Sequence, residues 1–359
     1  MKILQLIPNL SSGGAERFVV DLSNELGKKH DVCLITSFSL DDRNAFYLQE
    51  LSSNVRSYSL NKKIGFDIQF LFRLYKSIKR EKPDIVHTHL DTFAYFAIIK
   101  WLFPNIKFIH TVHNEAQYEA GGKIKTGLKK LFFRKGWCKA VTISEKSKMS
   151  FSNYYGNDIQ SYLIYNGRSM DIKTAKDNHL IPRVEGRYNL VSIGHISKTK
   201  NHLLLCSAVD KLTQSGAPIE LYMFGRYVDD VIVSKIKAMN NPHIHLLGEI
   251  DNPRQYLENA DAFCMSSLYE GMPISLIEAL SCGLIPICTA VGGIVDLVVD
   301  GETGFLSNDL EVDTYAKTIA RFLAMSNTEF SDMTNRCREL GQKYSIEQCA
   351  KQYEDLFNE

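Results

Sequence analysis

Residues Ser266 to Asp296 read SSLYEGMPISLIEALSCGLIPICTAVGGIVD. Two glutamates, Glu270 and Glu278, stand eight positions apart, with Gly271-Met272-Pro273 and then an apolar run between them. Gly and Pro punctuate a loop, and Pro suits the first residue of a helix because no N–H is needed there. The spacing therefore predicts Glu270 in a loop and Glu278 in the second turn of a helix that starts near Pro273. A helix start offers free N–H groups and about half a unit of positive charge. That end suits an anion or a cluster of sugar hydroxyls. Ile285-Pro286-Ile287-Cys288 reads as a short buried strand. Val291-Gly292-Gly293 then reads as a second glycine loop, where backbone can approach a ligand closely.

Outward from this stretch, size and composition set the frame. The chain has 359 residues, enough for two domains with substantial cores. Hydrophobic content of 45% and charged content of 23% are ordinary for a soluble globular protein. Met1-Lys2 leads straight into the strand-like Ile3–Pro8, so no signal peptide is expected. The longest apolar run, Phe93 to Phe103, is broken by Lys100 and falls short of the roughly 18 residues of a membrane span. Eight cysteines are scattered without C-x-x-C pairs, which reads as reduced thiols and a cytoplasmic setting. The net charge of +1 hides a polarity: residues 1–168 carry +10 and residues 169–359 carry −9. The first half is thus expected to meet something anionic.

The first half alternates strands and helices. Ile3–Pro8 is followed by Ser11-Ser12-Gly13-Gly14-Ala15-Glu16 and then by a helical pattern through Phe18, Val19, Leu22 and Leu26. A strand, a glycine turn and a helix make a ligand-cradling βα unit, although the loop is not G-x-G-x-x-G. Asp31–Thr36 is a strand, and Gly65–Lys82 a long amphipathic helix. In the strand Ile85–His89, His87 and His89 share a face. The strand Phe108–Val112 runs into His113-Asn114. Ligands in open parallel sheets bind beyond the carboxyl ends of strands, which weights His113 above the other histidines. Lys123–Lys139 holds seven basic residues and no acid. As a helix it carries a stripe of Ile124, Leu128, Leu131 and Phe132 flanked by lysines, including Lys125, Lys129 and Lys130. Two readings stay open: a surface for anionic membrane lipid, or a helix packed on the sheet with solvated lysines. No nucleic-acid module accompanies the charge.

In the second half, Tyr188–Ile193 begins a new βα series and ends in Gly194-His195-Ile196-Ser197-Lys198-Thr199-Lys200. Further strands follow at Ile219–Gly225, His243–Gly248 and Asp261–Met265, and Tyr344–Phe357 is helical. The pattern E-G-x-P, E-A, G-x-x-P and G-G-x-x-D from Glu270 to Asp296 resembles the donor-site signature of the large retaining E-x7-E family of GT-B glycosyltransferases, the glycosyl transferases of group 1. Gly13-Gly14-Ala15-Glu16 is similar to that family's G-G-x-E loop, and Lys200 to the lysine of its G-R-x-x-x-x-K element. His195 stands where the family has arginine. It lacks the bidentate fork, which implies a weaker grip on diphosphate or a different donor. Asn166-Gly167-Arg168-Ser169-Met170-Asp171 departs from the family's N-G-x-D spacing, so no role passes to Asp171.

The resemblance implies an α/β chain of GT-B architecture, two Rossmann-like domains facing across a cleft. Residues 1–168 would form the acceptor domain, 169–187 a linker, 188–343 the donor domain, and 344–359 a helix packing back on the first domain. It implies donor contacts at Gly14, His195, Lys200, Gly248, Glu270, Gly271, Met272, Pro273, Ile274 and Glu278. Acceptor contacts would fall at Gly13, Gly14 and His89, and His113, Glu270 and Lys200 would carry the chemistry. The implied reaction moves a sugar, with retention, from a nucleotide-diphosphate sugar (UDP by family habit) to a lipid-linked or oligosaccharide acceptor. Such enzymes build bacterial surface polysaccharides at the inner face of the membrane. No cofactor is expected beyond the nucleotide sugar as co-substrate, and no metal, since no D-x-D stands in a suitable strand context. A nucleotide-sugar epimerase and a non-catalytic GT-B partner subunit remain as alternatives.

Overall fold

In a computed structural model, the chain is described at residues 1–41, 44–65, 67–119, 121–169, 181–182, 185–250 and 254–359. Asp171 and most of the linker interval 169–187 lie outside the described residues. The chain divides into two units, residues 1–169 with 345–359, and residues 170–344.

The first unit is built on a parallel sheet of β1 (Lys2–Ile7), β2 (Asp31–Thr36), β3 (Val55–Ser59), β4 (Ile85–His89), β5 (Lys107–Val112), β6 (Lys139–Thr142) and β7 (Ser161–Leu163). The order is β3-β2-β1-β4-β5-β6-β7. The second unit holds β8 (Tyr188–Ile193), β9 (Ile219–Phe224), β10 (Ile244–Gly248), β11 (Ala262–Met265), β12 (Ile285–Thr289) and β13 (Phe305–Ser307), in the order β10-β9-β8-β11-β12-β13. Each order runs outward from its first strand in both directions, as in a doubly wound Rossmann sheet. Helices cover both faces of such sheets, so inner strands are buried on both faces and burial does not alternate along them. β9 and β12 accordingly bury every residue. In each sheet the winding reverses beside the first strand, between β1 and β4 and between β8 and β11. The carboxyl ends of those strands border a crevice that suits a ligand.

Local signals account for the helix bounds. Asp67 caps the helix Ile68–Glu81 by accepting from the Phe70 amide, and left-handed Lys82 ends it. The lysine-rich helix runs from Lys123 to Arg134 and stops short of Lys139, because Gly136 takes φ +65° and Lys139 opens β6. Pro273 stands as N-cap of the helix Ile274–Cys282, which puts Glu278 in its second turn.

The first unit has a polar seam inside its apolar core. His87, His89 and His110 are fully buried on β4 and β5. His87 Nε2 lies 2.7 Å from Thr111 Oγ1, which lies 2.8 Å from the Tyr353 hydroxyl on the last helix, Ile346–Asn358. That helix packs on the helix Gly14–Leu26. Lys107 and Lys139 donate to carbonyls of its last turn, at Phe357 (2.7 Å) and Leu356 (3.2 Å), where cations complement the helix dipole.

Burial holds His87 and His89 well below the usual imidazole range, and His110 below it, each with a second push from neighbouring cations or imidazoles. These rings stay neutral when folded yet take up protons once unfolded, so acid favours the unfolded chain. Stability should hold above about pH 6.5, the unperturbed value. Below it, each such histidine should remove about 1.4 kcal/mol per pH unit. Urea midpoints at pH 7.5, 6.5, 5.5 and 5.0 measure this; a flat series across that range would contradict it.

Candidate active site

In the second unit the loop after β8 and the loop after β11 are stitched together. The Leu268 amide donates to Thr199 O at 2.8 Å. Ser266 Oγ bridges Lys200 O (3.1 Å) and Asn201 O (3.0 Å), and Thr289 Oγ1 donates to Ser267 O at 2.7 Å. This scaffold brings Lys200 Nζ to 2.6 Å from Glu270 Oε1, an oxygen that also accepts from Ser267 Oγ at 2.6 Å. Glu270 and Glu278 are buried, whereas the Lys200 side chain is 28% exposed. The Lys200 ammonium therefore has room to take another anion while Glu270 holds it in place.

Gly292 fixes Glu270 from behind. At Gly292 φ is +52°, and a Cβ there would stand 1.7 Å from Glu270 O. The Gly293 amide donates to Gly271 O at 2.9 Å. The second glycine loop, expected to leave room for a ligand, thus makes its close approach at Gly292 to the chain itself. Met272, Pro273 and Ile274 are buried around the helix start, and no side chain caps it. The Leu276 and Ile277 amides donate to Pro273 O (3.2 and 3.3 Å), so within the helix the amides left as donors are those of Ile274 and Ser275. His195 is half-buried after β8. Gly248 has φ +77° and open space where a Cβ would point. Gly225, read in the sequence only as the end of a strand, packs its Cα against the β8 loop, so that a Cβ would stand 2.0 Å from Gly194 O.

In the first unit, Gly13 is the extended N-cap of the helix Gly14–Leu26, with the Glu16 carboxylate folded over it, and Gly14 is exposed. His113 follows β5 and is half-buried. Its amide donates to Glu119 Oε2 at 2.7 Å, and its Nε2 lies 2.9 Å from His89 Nδ1. Burial pushes the His113 imidazole down to about 4, against the opposing pull of the Glu119 carboxylate, so the ring is neutral at pH 7. His89, expected to line the acceptor side, is fully buried with both ring nitrogens paired, the second to Gln5 Oε1 at 2.8 Å. It backs His113 and offers nothing to an acceptor. Lys129, read as a flanking surface lysine, is also buried. Its ammonium donates to Glu119 O at 3.1 Å and lies 3.9 Å from Glu119 Oε1. Glu119, Gln5 and Ser267 were absent from the sequence reading, since a single polar residue in a loop or strand leaves no local pattern. Among the described residues, no group of three or more His, Cys, Asp or Glu is placed to hold a metal ion.

Residues 175–344 match the family model described as Glycosyl transferases group 1, and residues 12–171 match Glycosyltransferase Family 4. The GalNAc-alpha-(1->4)-GalNAc-alpha-(1->3)-diNAcBac-PP-undecaprenol alpha-1,4-N-acetyl-D-galactosaminyltransferase of Campylobacter jejuni is 24% identical, over 100% of this chain and 99% of that protein. The UDP-Gal:alpha-D-GlcNAc-diphosphoundecaprenol alpha-1,3-galactosyltransferase of Escherichia coli is 25% identical, over 93% and 90%. Among solved structures, sucrose-phosphate synthase from Thermosynechococcus elongatus superposes with a TM-score of 0.82 at 18% identity, covering 100% of this chain and 98% of that one. Anabaena HepE in complex with UDP and glucose gives a TM-score of 0.82 at 16% identity, covering 100% and 99%. The structural likeness carries the GT-B fold, and the family matches reach across both units. Residues 175–344 thus carry the group 1 glycosyl transferase pattern and residues 12–171 that of Glycosyltransferase Family 4, and together they make a glycosyltransferase of GT-B architecture built from two Rossmann-like units.

Proposed function

We propose that the protein transfers a sugar, with retention of anomeric configuration and without a metal ion, from a UDP-sugar to a lipid-linked acceptor in surface polysaccharide synthesis. One observation carries this reading: the Lys200–Glu270 pair at the carboxyl ends of β8 and β11, where the winding of the second sheet reverses. The chemical difficulty is departure of an anionic diphosphate from an oxocarbenium-like centre. Lys200 and the open amides after Pro273 supply positive field as that charge grows. His195 lies in the same loop after β8 as Lys200. Glu270 and Glu278 offer carboxylates for hydroxyls of the donor sugar and the ribose, with Gly248 leaving open space, free of a side chain, for the base. Neutral His113 serves the transferred sugar, and the loop at Gly13 and Gly14 receives the acceptor. The uridine nucleotide is supported by the UDP-Gal for which the E. coli relative is named and by the UDP in the Anabaena complex, and the lipid-linked acceptor by the undecaprenol-linked substrates for which the C. jejuni and E. coli relatives are named.

The exposed face of the first unit supports an anionic membrane as the place of work. The stripe on the helix Lys123–Arg134 splits: Phe132 packs inward, whereas Ile124 is 89% exposed and Leu131 is exposed too. Trp101 and Leu102 are exposed nearby, with the Trp101 ring against Phe132. Apolar side chains fringed by Lys123 and Lys130 suit a headgroup boundary. No helix among the described residues is long and apolar enough to cross a membrane.

Lys200→Met and Glu270→Gln should each lower kcat by about 10²–10³-fold, the worth of one fixed group at a developing anion. Gly292→Ala should match Glu270→Gln, since its methyl displaces the Glu270 backbone. Rates measured on a panel of nucleotide sugars decide this, and unchanged rates in Lys200→Met would sink the reading. In the same assay the product should keep the donor's anomeric configuration by proton NMR, and EDTA should leave the rate unchanged. Donor converted to its epimer without acceptor would point to the epimerase alternative.

Each basic residue near an anionic surface contributes about 1 kcal/mol. Lys123→Glu combined with Lys130→Glu should therefore cut partitioning onto phosphatidylglycerol vesicles by at least about thirtyfold. Equal sedimentation of the variant and the parent would remove the membrane assignment.

A further inference from the structure

We propose that His89 and Gln5 are positioning residues that set the tautomer of His113, so that His113 presents Nδ1 as a hydrogen-bond acceptor. The inference rests on His113 being the histidine that serves the transferred sugar.

The register of the first sheet makes the arrangement. Side chains two apart on a strand share a face. His89 pairs in register with Thr111, and His113 lies two residues beyond Thr111. Gln5 pairs with His87, and His89 lies two residues beyond His87. The three side chains therefore step diagonally across β1, β4 and the end of β5. They sit where the winding of the sheet reverses, next to the Gly13-Gly14 loop that follows β1.

With Gln5 Oε1 toward His89 and Gln5 Nε2 buried without a partner, the hydrogen bonds leave one assignment. A neutral imidazole has one N–H donor and one bare nitrogen. Gln5 Oε1, an acceptor only, lies 2.8 Å from His89 Nε2, so that nitrogen carries the proton. His89 Nδ1 is then bare and accepts, across 2.9 Å, from His113 Nε2–H. His113 is neutral in its turn, so the nitrogen left for substrate, Nδ1, holds a lone pair. Burial of His89 keeps it uncharged and so keeps the polarity of the chain. The ring planes are held as well. The Phe18 ring meets His113 edge-on at 5.8 Å, and His87 lies against His89 at 4.0 Å. His87 is itself tied through Thr111 to Tyr353. Nothing in this line of residues requires His89 to touch a ligand.

The test uses the full-length protein, labelled with 15N in its imidazoles, with two-bond proton–nitrogen spectra for tautomers and donor kinetics for activity. In the parent, His113 should appear as the Nε2–H form. In His89→Phe the ring persists without an acceptor, so His113 should move toward the Nδ1–H form. There kcat should fall by about a hundredfold, the cost of a misplaced group, with KM for the donor little changed. In His89→Asn, Oδ1 stands where Nδ1 stood; the Nε2–H form and most of kcat should return. Should His89→Phe fail to fold, Gln5→Leu serves, because it leaves both histidines and removes only the acceptor that polarises them; His113 should then show both tautomers. A parent in which His113 is Nδ1–H, or a variant with unchanged tautomer and kcat, overturns the inference. A parent that transfers no sugar overturns the proposed function instead, whereas the tautomer spectra decide the role of His89 and Gln5 independently.

Discussion

Glu270 is gripped from two directions, and the second unit is arranged around that grip. Its carboxylate takes Lys200 and Ser267 on one oxygen. Its backbone carbonyl lies where Gly292 has no Cβ. Neither hold works alone. An ion pair between flexible side chains gains little where water reaches it, and Lys200 is part-exposed. A glycine contact positions the backbone but not the carboxylate. Together they place one buried acid and one accessible cation at the ends of β8 and β11. An incoming anion would compete with Glu270 for the same ammonium. That competition is useful, because the cation stays ordered without its ligand and needs no rearrangement to meet it.

The two units share a strand order but stabilise their interiors differently. The first buries neutral imidazoles and hydroxyls in the middle of its sheet, linked through His87, Thr111 and Tyr353. The second concentrates ions at its strand ends. Buried neutral groups cost little once hydrogen-bonded, whereas a buried charge needs a partner or a large desolvation term is left uncompensated. Glu119 shows that rule in the first unit: buried near His110 (3.3 Å) and Lys129, it holds its carboxyl below the ordinary range despite the opposing effect of burial.

Much of this was legible along the chain. The strands Asp31–Thr36, Ile85–His89 and Tyr188–Ile193 fold with the bounds read from the sequence. Pro273 marked a helix start, and Glu278 fell in its second turn. What was not legible is contact between residues far apart in sequence. β3, half-exposed on the sheet edge, has no apolar run to announce it. Lys129 reads like its basic neighbours, and only the approach of Glu119 makes it interior. His89 shares a face with His87 by period, but its partners sit 84 and 24 residues away. Gly292 reads as a ligand-facing loop because sequence shows that space is needed and not what fills it.

The point where the chain leaves the first unit and returns to it shows how such distant contacts combine. Arg168 bridges to Ser345, and Gly167 lies so close that a Cβ would stand 2.6 Å from Ser345 O. The Arg168 guanidinium donates to Asp21 at 2.8 Å, and Arg17 pairs with the same carboxylate. All three groups are buried. Asp21 and Arg17 belong to the helix Gly14–Leu26, whose first turns also carry the Gly13-Gly14 loop and Phe18, the ring against His113. One helix thus serves both ends: Arg17 and Asp21 in its first two turns fasten the crossing, and its start borders the residues assigned to substrate. Removing a partner of Asp21 would leave a buried charge uncompensated, and the strain would fall on the same rigid element that orients His113.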